Sequence, residues 1–179
     1  EDLYRRAQFF ASQADAPDHH AALSVLFEIT DVAARADLKT DLLQELERQK
    51  QLLLPLRNNP AIETRVLEPL LADIDRASGA LLAQTGKAGV HLRDNEWLMT
   101  IKQRTAIPGG VCEFDLPGYH YWLHGDPAAR RSDLQSWIEP FLPIYDALAI
   151  ILRLLRDNGR ATRQTAYRGA FQLMLTTSK

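Results

Sequence analysis

The chain reads as mainly α-helical, a multi-helix bundle that ends in a β-like segment. Three features predict this. Apolar residues recur at three- and four-residue spacing from Leu3 to Leu155, the period of a helix with one buried face. Helix-start residues, prolines and glycines punctuate that pattern at intervals suited to helices. After Gly159 the period changes to two, as Tyr167, Phe171, Leu173 and Leu175 alternate with polar or small residues.

Leu3, Ala7 and Phe10 mark one face of a first helix, predicted to stop before Pro17. Asp18 is placed to cap a second, with Leu23, Leu26, Phe27, Thr30 and Ala33 inward. Asp37 is placed to cap a third, with Leu38, Leu42, Leu46 and Leu53 inward, ended by Pro55; its charged residues from Asp41 to Lys50 form a solvated face. Asn59-Pro60 opens a fourth segment to about Leu82, carrying Val66, Leu70, Ile74, Ala77 and Leu81, which Pro69 should kink or split. Residues 83–90 read as a flexible connection; Gly86-Lys87 lacks the remainder of a phosphate loop. Asp94 is placed to cap a fifth helix with Leu98, Ile101 and Thr105, running into Pro108-Gly109-Gly110. Asp126-Pro127 opens another, interrupted around Pro140 and Pro143. Ile144 to Arg156 is strongly amphipathic and stops at Asn158-Gly159. Thr165 to Thr177 reads as a strand. A lone strand leaves its ladder groups unpaired, so it pairs with strands supplied elsewhere or the chain is a piece of a longer protein.

The bulk numbers narrow the function. With 179 residues and a 46% apolar share, the chain suits one domain with a packed core, or one with a small appendage. The longest apolar stretch, Ala147 to Leu155, is cut by Arg153, so no membrane span is predicted. One cysteine excludes an internal disulfide and suits a reducing cytoplasm. No signal peptide is visible, although the chain opens on Glu1 without a methionine. The net charge of −2 conceals an asymmetry. From Ile151 onward there are six basic residues against Asp157 alone; the rest carries 15 bases and 22 acids. A basic end on an acidic body attracts acidic ligands, or is simply a solvated face.

Residues 103–124 hold three glycines, two prolines, two histidines, four aromatics and the cysteine. Such density marks a built site or a junction. His120 and His124 share a helix face but lack a third metal ligand, and Tyr121 stands where a metalloprotease would carry glutamate. They read as structural or surface histidines, and no metal or cofactor is predicted. Cys112, between Val111 and Phe114, reads as a buried inert thiol. Asp115 reads as the cap of the helix after Leu116-Pro117, and the three tryptophans as core anchors. Arg93, Lys102 and Arg104 flank the Pro-Gly-Gly break. With Arg153, Arg156, Arg160 and Arg163 they line one basic surface if the fifth and last helices meet; otherwise they are scattered solubilising charge.

The run Arg104-x-x-Ile107-Pro108-Gly109-Gly110-x-Cys112-x-Phe114-Asp115-Leu116-Pro117, followed by His120-x-Trp122-Leu123-His124, resembles the signature of the ZapD family. So do Asp41 to Gln49, Trp137-Ile138, Ala147-Leu148, Leu152-x-Leu154-x-Arg156, Gln164-Thr165 and Gly169-x-Phe171-Gln172, which together span nearly the whole chain. The resemblance implies an α-helical domain over residues 1–160, with 161–179 as the remnant of a small β-domain, α+β in the intact protein. It implies a cytoplasmic homodimer that binds the C-terminal tail of the cell-division protein FtsZ. Such a dimer would cross-link FtsZ filaments at the mid-cell ring without enzymatic activity. The tail contacts expected here are Arg93, Lys102, Arg104 and His120, which stand near the motif, with Arg153, Arg156, Arg160 and Arg163, which rest on the charge count. A nucleic-acid-binding helical domain using the same basic end is the alternative. The overall acidic balance and the lack of a helix-turn-helix signature oppose it.

Overall fold

The computed structural model describes residues 1–34, 37–59, 63–159, 163 and 165–172. Among them are nine α-helices: α1 (Asp2–Ser12), α2 (Ala16–Ala33), α3 (Leu38–Leu53), α4 (Thr64–Ala83), α5 (Val90–Arg93), α6 (Glu96–Thr105), α7 (Pro117–Leu123), α8 (Pro127–Ile138) and α9 (Leu142–Asn158). Short 3₁₀ turns, Leu54–Asn58 and Glu139–Phe141, extend α3 and join α8 to α9. The predicted mainly α bundle is therefore observed.

The packing follows the apolar stripes. α1 lies along α2, and both pack on α8; α3, α4 and α9 form a second group. Leu23, Leu26, Leu46, Ile74, Leu81, Leu98, Ile101, Leu134, Ile138 and Phe141 belong to one continuous core. Each fully buried side chain of this size contributes roughly 1.5–3 kcal/mol. The tryptophans, expected as core anchors, are partly buried, pack against the core and form one cluster. Trp97 of α6, Trp122 of α7 and Trp137 of α8 lie with ring centroids 5.8–5.9 Å apart, and the Trp122 indole donates to Asp133 at 2.9 Å.

Several local expectations are corrected. Pro17 does not precede α2 but sits in its first turn, where no intrahelical donor is required; Asp15, not Asp18, holds the N-cap position. Asp37 holds the N-cap of α3 without a capping bond from its side chain. The cap of α6 is Asn95, whose side chain accepts from the Leu98 amide at 3.1 Å, while Asp94 ends α5. Asp126 caps α8 as predicted, accepting from Ala128 and Ala129. Pro69 does not split α4. That helix buries Leu67, Leu71 and Ile74, so Val66 falls off the stripe and is exposed. Gly159 ends α9 in an extended conformation.

Residues 83–90 are pinned rather than loose. The Lys39 ammonium donates to the Gln84 carbonyl at 2.6 Å, and the Gln84 amide donates to the Pro140 carbonyl at 2.7 Å. Gly89 is buried at φ +74°, and a β-carbon there would lie 3.1 Å from Thr30 Cγ2. The connection therefore packs against α2 and the 3₁₀ turn that leads into α9.

The predicted strand is not observed among the described residues. Tyr167 and Ala170 form one isolated antiparallel bridge across a tight turn, with Arg168 and Gly169 both at positive φ. The Arg168 guanidinium stacks over the Tyr167 ring at 5.3 Å. Both rows of a ladder are needed to hold an extended segment, and no partner strand is present among the described residues. Residues 173–177 of that expectation lie outside the described residues.

Candidate functional site

The segment after α6 is a tightly turned corner. The Ile107 amide bonds to the Arg104 carbonyl at 3.0 Å, and the Gly110 amide to the Ile107 carbonyl at 2.9 Å. Gly109 supplies a positive φ of 74°. Gly110 permits the close approach, because a β-carbon there would lie 2.5 Å from the Arg104 carbonyl oxygen. The chain turns again at Cys112, whose carbonyl accepts from Leu116, and enters α7 through Pro117. Leu116, not Asp115, holds the N-cap position of α7, with no side-chain cap. Asp115 instead accepts from the Cys112 thiol at 3.3 Å and pairs with Arg104 at 3.9 Å. Cys112 is exposed, contrary to the buried thiol expected from its apolar neighbours; the turn points Phe114 outward as well, at 89% exposure.

His120 projects from α7 toward Glu113 at 3.8 Å and packs its ring 4.1 Å from that of His124. The His124 ring nitrogen Nδ1 bonds to the His120 carbonyl. Beside the corner, a cleft of about 330 Å³ opens between α6 and α7, lined by Glu96, Trp97, Ile101, Asp115, Leu116 and Tyr119 among others. Arg93 turns inward to donate to the Ala88 carbonyl at 2.9 Å. Lys102 forms an ion pair with Asp31 of α2.

A second, larger cleft of about 650 Å³ lies between α4 and α9 at the start of α1. Ala77, Ala80, Ala149 and Ile150 line it together with charged side chains. Arg76 pairs with Asp73 at 2.9 Å, Arg153 approaches the same carboxylate at 3.8 Å, and Arg156 donates to Glu1 at 2.9 Å. The Arg156 hydrogen bond holds the Glu1 carboxyl below its usual range. Partial desolvation raises the Asp146 carboxyl, opposed by Arg76.

The sequence-predicted residues thus fall into groups. Arg104 and His120 stand at the corner. Lys102 and Arg93 lie nearby, engaged with Asp31 and Ala88. Arg153 and Arg156 line the α4–α9 cleft, which shares no lining residue with the cleft at the corner. α6 packs on α5 and α2, whereas α9 packs on α3 and α4. Arg163 is exposed, and Arg160 lies outside the described residues. Sequence reasoning missed Asp73 and Arg76. Their signal was present in a form visible only in pairs: charges three apart on α4 face charges three apart on α9.

Fold and site together define a mainly α-helical protein with two charged surface clefts and, among the described residues, no helix long and apolar enough to cross a membrane. No cluster of three or more metal-ligating side chains occurs among those residues. The family model described as "ZapD: Cell division protein" matches residues 1–179. The chain is 56% identical over 175 residues to the cell division protein ZapD of Dechloromonas aromatica, covering 98% of this chain and 69% of that protein. It is 54% identical over 175 residues to that of an Azoarcus species, covering 98% and 70%. For the Chromobacterium violaceum protein the identity is 55% over 174 residues, covering 97% and 69%. The chain belongs to the ZapD family of cell division proteins, and its role lies in division.

Proposed function

We propose that this protein binds the C-terminal tail of FtsZ and, as a homodimer in the cytoplasm, cross-links FtsZ filaments at the mid-cell ring, with no catalytic step. The observation that carries the reading is membership of the ZapD family over the full chain. The candidate tail contacts are Arg104 and His120 at the corner and, on a separate surface, Arg153 and Arg156; Arg93, Lys102, Arg160 and Arg163 complete the expected set. The side chains of Arg104, His120, Arg153 and Arg156 are substantially exposed; their partners Asp115 and Glu113 are exposed too, while Asp73 and Glu1 are half-buried. Exposed pairs of this kind exchange at little cost, so a ligand carboxylate can replace an internal one. In the larger cleft, Ala80, Ala149 and Ile150 give apolar surface beside Arg153 and Arg156. That mixture complements a short peptide with acidic and apolar residues. Two tail sites per dimer join two filaments by multivalency.

The test is co-sedimentation with FtsZ polymers, repeated with FtsZ lacking its tail. Tail-dependent pelleting and filament bundles are expected; pelleting that survives removal of the tail overturns the reading. Titration of a dye-labelled tail peptide, followed by anisotropy, then assigns the surface. Arg104→Glu and Arg156→Glu should each weaken binding about tenfold, which is roughly 1.4 kcal/mol of binding free energy.

A further inference from the structure

His19 lies on the buried face of α2 and is wholly inaccessible. One ring nitrogen, Nε2, lies 2.8 Å from the Gln13 carbonyl, and the other, Nδ1, lies 2.7 Å from Arg130 Nε. A guanidinium has no acceptor, so Arg130 donates and Nδ1 must keep its lone pair. His19 is therefore the neutral tautomer with its proton on Nε2, donated to Gln13. The remaining Arg130 donors also reach carbonyls. Nη1 serves Leu123 and Gly125, and Nη2 serves Ala14 at 2.6 Å. Arg130 is 4% exposed. One buried cation thus ties the α1–α2 connection to the end of α7, and the histidine fixes its orientation.

The groups facing His19 are few. Arg130 and Arg131 approach from α8, Asp18 belongs to α2, and the Trp122 ring of α7 lies 6.4 Å away. Two cations and one carboxylate surround a site without water access. We propose that His19 is an acid-labile latch: neutral, it aligns Arg130 across the two turns; protonated, it opposes a guanidinium N–H with its own, and the end of α7 is released. Protonation leaves the imidazolium with no acceptor for its second N–H at the arginine, and it places two cations in contact in a buried site.

The direction of the pH effect is fixed. Burial holds the His19 pKa below its ordinary value; Arg130 and Arg131 lower it further, while the Gln13 carbonyl and Asp18 oppose them. The open form therefore binds the proton more readily. The latch contributes fully above the ordinary histidine value of about 6.5 and weakens as pH falls through it toward the lower folded-state value.

The experiment is amide hydrogen exchange on the full chain between pH 7.5 and 5.5, corrected for intrinsic rates. It is read at His124 and Gly125, whose amides bond to the His120 and Trp122 carbonyls. Opening at these amides should increase roughly tenfold over that range. His19→Gln, whose amide can accept from Arg130 and donate to Gln13 without titrating, should abolish the increase. The neighbour His20 is hydrogen-bonded to the Tyr119 hydroxyl at 2.6 Å and is also depressed by burial. His20→Gln should retain the increase. A flat wild-type profile, an increase that survives in His19→Gln, or one that vanishes in His20→Gln overturns the proposal. Should His19→Gln fail to fold, NMR titration of the unsubstituted protein decides. A His19 imidazole that titrates below 6.5 in step with the α7 resonances supports the latch; one at or above 6.5, or out of step with α7, overturns it.

Discussion

Arg130 and Arg156 are the same residue type in opposite settings. Arg130 is buried and donates to three backbone carbonyls and a ring nitrogen from two distant segments of the chain. Arg156 has a side chain 65% exposed and reaches one carboxylate at the edge of an open cleft. A buried arginine can be removed only by stranding every group it served, and each stranded acceptor costs its full desolvation penalty. An exposed arginine loses little when its partner changes, because water takes over the bond. The first kind of site holds a fold; the second is available to a ligand. Net charge and composition cannot separate the two.

The largest effect should come from Arg130→Met. Loss of the guanidinium leaves the carbonyls of Ala14, Leu123 and Gly125 short of a donor, and about 3 kcal/mol or more of stability should disappear. Urea denaturation measures this, and a loss under 1 kcal/mol would erase the distinction between the two arginines. Asn95→Ala lies between the extremes. It removes the one side-chain cap of α6, and about 1 kcal/mol is expected by the same measurement. The smallest effect on folding should come from Arg156→Glu, with a urea midpoint unchanged within error while tail binding falls. A stability loss comparable to that of Arg130→Met would show that the α4–α9 cleft is part of the scaffold. Tail binding itself should weaken as salt is raised from low to physiological ionic strength, where screening acts within about 8 Å. An affinity indifferent to salt would remove the arginines from the contact.

Most of the helices were legible because each buries one stripe, and a stripe is a local pattern. Leu42, Leu46, Ile74, Ala77, Leu81, Leu98 and Ile101 all face the core as their spacing predicts. The ends were less legible where two candidate caps stand close together, as Asp15 and Asp18 or Asp94 and Asn95 do. Only the local backbone path decides which side chain can reach the first free amides. The outward turn of Cys112 had the same origin, since only the corner geometry exposes it together with Phe114. The His19–Arg130 contact was not legible at all. Its partners are 111 positions apart, and nothing in either neighbourhood marks them as a pair. The candidate contact residues stood out as a charge imbalance near the end of the chain. Their division between two clefts depends on which helices pack together, a long-range property that a residue count does not contain.

Three indoles drawn from three successive helices stand close to one another at the centre of the α6–α8 region. They supply an intrinsic optical gauge. Closely spaced indoles couple electronically, so any event that parts these helices changes the near-ultraviolet dichroism of the unlabelled protein. The corner borders that cluster through α7, and its movements can be followed without attaching anything to the chain.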